Sequence, residues 1–454
     1  MKPKNHNVRK KGREFIYPKK PSGKLYNYRK VFSVILLLCL FSFPFLRMNG
    51  EQLVLLNFLE RKFVFFGIIF TPQDFYLFAL AMLIFVIFIV CFTVILGRLW
   101  CGWACPQTIF MEMVFRRIEY WIEGDANQQR KLDAQGWTRE KIMKKGVKHF
   151  LFIAISFVIS NTFLAYLIGS DVLYKIVTEP ISEHLSGFFF IWLFTFVFYG
   201  VFAYVREVVC TVICPYGRLQ GVLLDRQSLV VAYDETRGEP RGHIQKGADP
   251  STKGDCVDCS LCVQVCPTGI DIRKGTQLEC VNCTACIDVC NEVMHKINRA
   301  PNLIGFYTQE HIQSRKPFKL SVKAYGYAAV LLVMMIILSG LVYKRDAVET
   351  TVLRASGTLY QQRQDSTSNL YNAELINKTN QDIRYVFKSN DPADRIQFIQ
   401  RTAVLPKEGS SQITFFLVKK NTDIKAYKTK VKFEVLSEGK VVSKAETTFF
   451  AQPQ

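Results

Sequence analysis

Histidine and acidic residues are scarce in this sequence of 454 residues. Only six histidines are present, and none lies within a predicted membrane span, so a haem held by paired histidines is not expected. No Gly-x-Gly-x-x-Gly fingerprint occurs in a strand-turn-helix context, which argues against a nucleotide or flavin domain. Because 58 Lys and Arg residues outnumber 38 Asp and Glu residues, the net charge is +20. Much of this charge flanks apolar segments, so it indicates membrane topology and not nucleic-acid binding.

Apolar residues make up 49% of the chain, which is too much for an ordinary soluble protein of several domains. A bilayer core of about 30 Å takes roughly 20 apolar residues as helix. On this basis the sequence predicts five spans, at 31–46, 75–97, 150–169, 187–205 and 324–343. The segment 63–72 is too short to span and is expected to be interfacial or re-entrant. Arg47 and Met48 stand where a signal peptidase needs small residues, so the first span is expected to be an uncleaved anchor.

Lysine and arginine are unevenly distributed among the loops, and this sets the expected orientation. The loops 1–30 and 98–147 are basic and hold eleven and nine of these residues. The loops 47–74 and 170–186 hold only three and one. The two basic loops are predicted to face the cytoplasm of a bacterium, with the protein in its inner membrane. Five spans then place region 210–323 in the cytoplasm and the tail 348–454 in the periplasm.

The tail contains no cysteine and alternates apolar and polar residues in short runs, at 383–387, 412–418 and 431–435. Turn-prone Asn-Asp-Pro and Glu-Gly sequences separate these runs. The pattern predicts a small antiparallel β-sandwich. Because no clustered histidine or cysteine is present, a scaffold or docking role is expected for it.

Eight of the fourteen cysteines lie between Cys256 and Cys290, in two runs with identical 2-2-3 spacing. Such runs are typical of a ferredoxin-type α+β domain, here at about 250–300, in which the fourth cysteine of each run binds the other 4Fe-4S cluster. The predicted ligands of one cluster are Cys256, Cys259, Cys262 and Cys290, and those of the other are Cys280, Cys283, Cys286 and Cys266. Two structural zinc sites are the alternative.

The second run departs from the usual pattern at one position. Pro267 follows the last cysteine of the first run, whereas Asn291 follows the last cysteine of the second. This difference is expected to affect the local backbone and not the number of ligands.

Four further cysteines form two Cys-x-x-x-Cys-Pro motifs, near the ends of the second and fourth predicted spans. We call them the paired cysteines: Cys101, Cys105, Cys210 and Cys214. Cysteines at i and i+4 share one helix face, and the following proline ends or bends the helix. If the two helices pack together, four sulfurs converge. Soft thiolates favour Cu(I), and a site that binds Cu(I) better than Cu(II) makes copper easier to reduce. A third cluster or a quinone-side relay could use the same four groups.

In this combination the chain resembles the cytochrome c oxidase accessory protein family CcoG, also called FixG or RdxA. The match rests on 99–107, 210–217 and 255–293. The resemblance implies a multi-domain membrane protein, with a five-helix transmembrane bundle, an inserted ferredoxin-type domain with two 4Fe-4S clusters and a C-terminal immunoglobulin-like β-sandwich. It also implies that the protein reduces Cu(II) to Cu(I) at the paired cysteines during maturation of cbb3-type cytochrome oxidase.

The expected partners are membrane lipid, an unidentified cytoplasmic electron donor, and copper-handling and oxidase assembly proteins, while homodimer formation is left open. Two other functions fit the same residues. The first is a quinol-linked subunit that delivers electrons to a periplasmic reductase. The second is a non-enzymatic scaffold or redox sensor whose clusters report oxygen or iron status.

Overall fold

The chain forms two compact units, Met1–Phe45 with Leu80–Ile336 and Leu46–Ala79 with Ile337–Gln454. The computed structural model describes residues 8–10, 13–48, 50–59, 62–70, 74–243, 253–355, 357, 359–400, 404–407, 409–424 and 426–452. One unit boundary follows the first of five long apolar helices, and the other two fall inside the second and fifth.

Five helices are long and apolar enough to cross a bilayer, and the protein is a membrane protein. These spans, first to fifth, are Lys24–Ser42, Phe75–Leu96, Arg139–Ile168, Leu185–Val205 and Val322–Tyr343. Each predicted span therefore has a helix, but two bounds differ clearly from the prediction. The first helix begins at Lys24 and not at 31, and the third begins at Arg139 and not at 150. In both cases the helix extends into charged turns that hydropathy alone assigns to loops.

The charged turns of the third helix are stabilised by ion pairs inside the protein. Lys148 lies 2.9 Å from Glu123, and Lys145 lies 2.8 Å from the same carboxylate. Glu123 directly follows an earlier helix, Arg116–Ile122, so the apolar run of the third span alone gives no sign of these ion pairs.

Both helices that precede the paired cysteines end at a residue with left-handed backbone geometry. Gly97 follows the second span with φ 57°, and Arg206 follows the fourth span with φ 52°. The fourth span is α-helical over Leu185–Gly200 and π-helical over Val201–Val205. The remaining helices of the first unit are Leu99–Trp103, Pro106–Ile109, Phe110–Phe115 (π-helical), Arg116–Ile122, Ala126–Ala134, Ser170–Thr178, Val209–Ile213 (π-helical), Pro215–Leu223, Glu235–Gly238, Leu261–Gln264, Ile272–Lys274 (3-10), Ala285–Lys296 and Gln309–Ser314.

The cysteine runs lie in a small α+β domain with its own core. Strands Val230–Tyr233 and Ile304–Tyr307 pair antiparallel and pack with the helices of the two runs. The domain therefore extends beyond the predicted 250–300, because the strands that close it come from either side of the cysteine-rich segment. Its core contains Val231, Tyr233, Ile270, Ile272, Ile287, Met294, Leu303 and Ile304.

The tail in the second unit is an antiparallel β-sandwich, as predicted. One sheet has the order Val348–Arg354, Ser366–Asn377, Ser410–Lys420 and Arg395–Gln400, with Gln361–Gln362 added to Ser366–Asn377. The other has the order Val386–Ser389, Lys428–Ser437 and Lys440–Phe450. A short pair joins Ile383–Arg384 to Val404–Leu405. Alternating side chains of both sheets fill a shared core, including Tyr371, Phe387, Phe415, Leu417, Phe433 and Phe449.

The segment after the first span is also β-structured. Strands Val54–Asn57, Lys62–Phe65 and Ile68–Phe70 form an antiparallel sheet, and Arg47–Met48 pairs with Glu51–Gln52. Most of the predicted interfacial or re-entrant segment 63–72 thus lies in two strands. Its apolar residues alternate between buried and partly exposed positions, which is a period of two and not a helical period.

Candidate metal centres

The two cysteine runs fold in the same way. In each run the residues on either side of the second cysteine have left-handed backbone geometry: Asp258 and Ser260 in the first, Asn282 and Thr284 in the second. A helix then begins immediately, at Leu261 and at Ala285. Turns of this kind direct successive backbone N–H groups into a concavity that favours anionic groups, including iron-sulfur centres.

Each run contributes to two neighbouring cavities, and the two runs exchange their last cysteines. The first cavity is lined by Cys256, Cys259, Cys262 and Cys290. The second cavity is lined by Cys266, Cys280, Cys283 and Cys286, and Cys262 lines it as well. These are the two predicted ligand sets.

The sulfur spacing allows a test of which metal centre fits. A zinc ion binds sulfur at about 2.3 Å, so its sulfur ligands lie at most about 4.6 Å apart. Among the residues that the structure describes, no three cysteine sulfurs all lie within 4.8 Å of one another. The described sulfurs are thus not gathered as the ligands of a single ion would be, and the choice of a cubane rests on the 2-2-3 spacing of the two runs.

The first cavity has one ligand that is open to solvent, and the second has none. Cys259 is exposed, whereas every cysteine of the second cavity is at least partly buried. Burial raises the pKa of Cys280 to about 12 and that of Cys286 well above its ordinary value. Thiols of this kind lose their protons when a metal centre binds, so assembly of a cluster in the second cavity releases protons into a dry site.

The residue after each run determines how far its helix continues. Pro267 follows the short helix Leu261–Gln264, whereas the helix of the second run continues from Ala285 to Lys296. The Asn291 side chain accepts a hydrogen bond from the Asn302 backbone N–H at 2.6 Å. The predicted local effect of Asn291 is therefore a longer helix, tied to the loop that follows it.

Each pair of paired cysteines straddles a helix break, as the proline predicts. Cys105 and Cys214 have extended backbones and cap helices whose first residues are Pro106 and Pro215. Proline favours this position because its missing N–H would have no partner there.

The structure brings all four paired cysteines together. Burial raises the pKa of Cys101 to about 11 and that of Cys210 to about 12. The charges of Cys101 and Cys105 add to the rise in the pKa of Cys210, and the charge of Cys214 adds to that of Cys101, so the two pairs lie within electrostatic reach of each other. The Cys101 thiol also donates a hydrogen bond to Oε1 of Gln220 at 3.3 Å.

The paired cysteines lie directly against the second cavity. A Cβ atom added to Gly102 would lie 2.3 Å from the Val281 carbonyl oxygen, so only glycine allows the helix turn of Cys101 to pack on the loop between Cys280 and Cys283. This contact joins the two thiol sets.

Two arginines beside these motifs have roles that the sequence reasoning missed. Arg98, 4% exposed, donates from Nε to Gln220 at 2.6 Å, and its charge opposes the effect of burial on the pKa of both Cys101 and Cys280. Arg206 donates two hydrogen bonds to Glu119, at 2.9 and 2.7 Å. The sequence carries a signal for both arginines, because a basic residue stands three or four positions before each pair, in Arg98-x-x-Cys and Arg206-x-x-x-Cys.

The Arg206 contact belongs to a buried ion network that anchors the second pair. Burial raises the pKa of Glu119. The charges of Arg206 and Lys148 lower it by more than burial raises it, so the pKa lies below its ordinary value. Arg116, which is 1% exposed, pairs with both Glu112 and Glu207. The network fixes the turn before Cys210 to the helix that follows the first pair.

Three family models match the chain. A 4Fe-4S dicluster domain matches residues 205–309, a 4Fe-4S binding domain matches 78–125, and the "IG-like fold at C-terminal of FixG" matches 338–452. The protein is therefore an iron-sulfur electron-transfer protein with an immunoglobulin-like C-terminal domain.

Curated relatives match over much of their length. Protein RdxB of Cereibacter sphaeroides is 33% identical over 84% of this chain and 83% of its own. Protein RdxA of the same organism is 33% identical over 74% of this chain and 72% of its own. The nitrogen fixation protein FixG of Rhizobium meliloti is 38% identical over 65% of this chain, and the match spans 57% of FixG.

Among solved structures, a FixG-related protein from Vibrio parahaemolyticus matches with 16% identity and a TM-score of 0.21, over 23% of this chain and 97% of its own. The curated relatives, taken with the matched C-terminal domain and the two cysteine runs, identify the chain as a member of the FixG/RdxA family of membrane iron-sulfur proteins.

Proposed function

We propose that this iron-sulfur protein is a cupric reductase that supports the assembly of a cbb3-type cytochrome oxidase. The observation that carries the proposal is the packing of Gly102 on Val281, which places the paired cysteines against the loop of the second cavity. A site for soft metal ions thus adjoins a site for an electron carrier.

The predicted ligand sets are part of this proposal. Cys256, Cys259, Cys262 and Cys290 would hold the first cluster, and Cys266, Cys280, Cys283 and Cys286 would hold the second. When bound, each 4Fe-4S cluster accepts and releases one electron. Reduction of one Cu(II) to Cu(I) consumes one electron and needs no proton, so the single-electron chemistry balances.

The paired cysteines supply what a Cu(II) substrate needs in order to become Cu(I). Thiolate is a soft ligand and binds Cu(I) more favourably than Cu(II), which makes the reduction easier. Burial raises the pKa of the Cys101 and Cys210 thiols, which therefore stay protonated until metal binds. Gln220 orients the Cys101 thiol by accepting its hydrogen bond.

The proposed topology follows the distribution of basic residues. The N-terminus and both cysteine runs face the cytoplasm, where an unidentified donor would reduce the clusters. The immunoglobulin-like domain lies in the periplasm, where it would dock copper-handling or oxidase assembly proteins.

The direct test measures Cu(I) formation by purified protein that receives dithionite and then Cu(II). A variant with all four paired cysteines changed to alanine should lose at least about tenfold in rate, or ~1.4 kcal/mol in barrier. A matched control changes Cys39 and Cys91, two cysteines of the apolar spans, and should react like the wild type. Equal rates in all three proteins would exclude the proposal, and rapid cluster reduction by a quinol analogue would favour the quinol-linked alternative.

A second assignment of the paired cysteines has its own support. The family model of a 4Fe-4S binding domain covers Cys101 and Cys105, which lie outside the two cysteine runs. In this case the paired cysteines would bind a third cluster. Iron analysis separates the two assignments, because two clusters give roughly eight iron atoms per chain and three give roughly twelve.

A further inference from the structure

Arg29 is a charged residue buried in the first span. It is 2% exposed, and the only other buried residue of that helix is Ser33. A buried charge is costly unless it is paired or has a functional role. Within the described part of the chain, Arg29 has no ion-pair partner, so its position needs an explanation.

The Arg29 guanidinium lies where the two thiol sites meet. Its Nε donates a hydrogen bond to the Gly102 carbonyl oxygen at 2.7 Å, and Gly102 is the residue that packs on Val281. Its Nη2 is buried and has no hydrogen-bond partner among the described residues. A buried donor without a partner is unfavourable, and a negatively charged group in the adjacent site would offset that cost.

The charge of Arg29 reaches the second cavity. Its hydrogen bond to the Gly102 carbonyl oxygen holds the guanidinium at the turn that packs on Val281, which lies between the ligands Cys280 and Cys283. The second cavity therefore has a net positive neighbour.

The arginines around the first cavity are paired with carboxylates. Arg237, whose charge reaches Cys290, pairs with Asp255. Arg273, which lines the cavity, lies 2.8 Å from Asp271 and also pairs with Asp258. A guanidinium between two carboxylates contributes little net positive charge. Similar ligand sets are thus placed in different electrostatic surroundings.

The start of the first span is held against the helix of the second run, which fixes Arg29 in place. The Asp288 carboxylate accepts hydrogen bonds from the backbone N–H groups of Leu25 at 3.2 Å and Tyr26 at 2.8 Å. Gly23 lies at φ 136°, and a Cβ there would lie 2.3 Å from Asp288. Asp288 therefore caps a helix of the membrane bundle from within the ferredoxin-type domain.

We propose that Arg29 is a positioning residue that stabilises the reduced form of the second cluster and so makes this cluster the electron exit toward the paired cysteines. One added electron adds one negative charge beside an unpaired guanidinium in a dry site, where charge interactions are strong. Net charge and hydrogen bonding around a cluster set its reduction potential. The inference depends on the clusters and not on copper as the acceptor.

The test is an EPR-monitored potentiometric titration of the purified full-length protein, with dithionite as reductant. In Arg29→Gln, the equilibrium by which the two clusters share one electron should shift at least about tenfold away from the second cluster. For a one-electron couple this shift equals about 59 mV. The signal of the second cluster is identified by the change that Cys283→Ser produces in it.

Lys30→Gln is the matched control, because it removes an exposed charge from the same helix turn. It should leave both potentials unchanged. Unchanged potentials in Arg29→Gln at full iron content would overturn the proposal, as would an equal shift in Lys30→Gln. If Arg29→Gln loses iron, Arg29→Lys decides: retention of the wild-type potential supports the role of the charge, and a full shift contradicts it.

Discussion

The two cysteine-lined cavities have the same ligand spacing and the same local backbone, yet their surroundings differ. The first has an exposed ligand, Cys259, and an arginine neutralised by two carboxylates. The four ligands of the second are partly buried, and this cavity lies against the paired cysteines through Gly102 and has Arg29 beside it. The comparison shows that local sequence determines what a site binds, whereas packing between distant segments determines its neighbours and its electrostatics.

The largest expected effect is the loss of one cluster, and it should differ between the two cavities. Cys286→Ser removes a partly buried ligand and should abolish the second cluster, with about half of the iron lost, while the EPR signal of the first remains. Cys259→Ser changes an exposed ligand and should leave the second signal intact. If either variant abolished both signals, the two cavities would be one cooperative unit and the comparison would fail.

A proline in the second run would test the one sequence difference between the runs. Asn291→Pro places proline inside the helix Ala285–Lys296, which should cost about 3 kcal/mol of stability without removing a ligand. The measurement is the temperature at which cluster absorbance is lost, together with the iron content. Asn291→Ala, which removes the same side chain but suits a helix, is the control for the proline itself. A reduced iron content at low temperature would mean that Asn291 contributes to ligation.

Much of this arrangement could be predicted from sequence, because cysteine spacing and β-alternation are local patterns. The ligand sets that line the two cavities, the five spans and the sandwich follow from residues that are close in sequence. The start of the first span at Lys24 was missed, because its polar turns are stabilised by Asp288, more than 260 residues away. Arg29 was counted only as part of the basic N-terminus for the same reason.

The contact between the paired cysteines and the second cavity gives the next prediction. Gly102→Ala introduces a methyl group that would lie 2.3 Å from the Val281 oxygen, so the two segments must separate. Electron delivery from dithionite-reduced protein to Cu(II) should slow by roughly tenfold, or ~1.4 kcal/mol in barrier, while the iron content stays constant.

Gly146→Ala is the control for Gly102→Ala. It lies in the third span, where an added Cβ meets nothing within 4 Å, so the rate should not change. An unchanged rate in Gly102→Ala would show that electrons reach copper by another route.

The smallest expected effect concerns the cap on the first span. Asp288→Asn removes a carboxylate that accepts two backbone hydrogen bonds, and it should cost about 1 kcal/mol. Hydrogen exchange should then increase at Leu25 and Tyr26. Glu292→Gln, an exposed change on the same helix, is the control and should leave that exchange as in the wild type. Exchange that is equally slow in both variants would mean that Asp288 does not hold the span.

The claim on which everything else depends is that the eight cysteines of the two runs hold iron and sulfide. Protein purified without oxygen should contain at least roughly eight iron atoms and a matching amount of acid-labile sulfide per chain, and should show the EPR signals of two neighbouring clusters after reduction. Protein that contained zinc with no labile sulfide, and no EPR signal after reduction, would contradict this account.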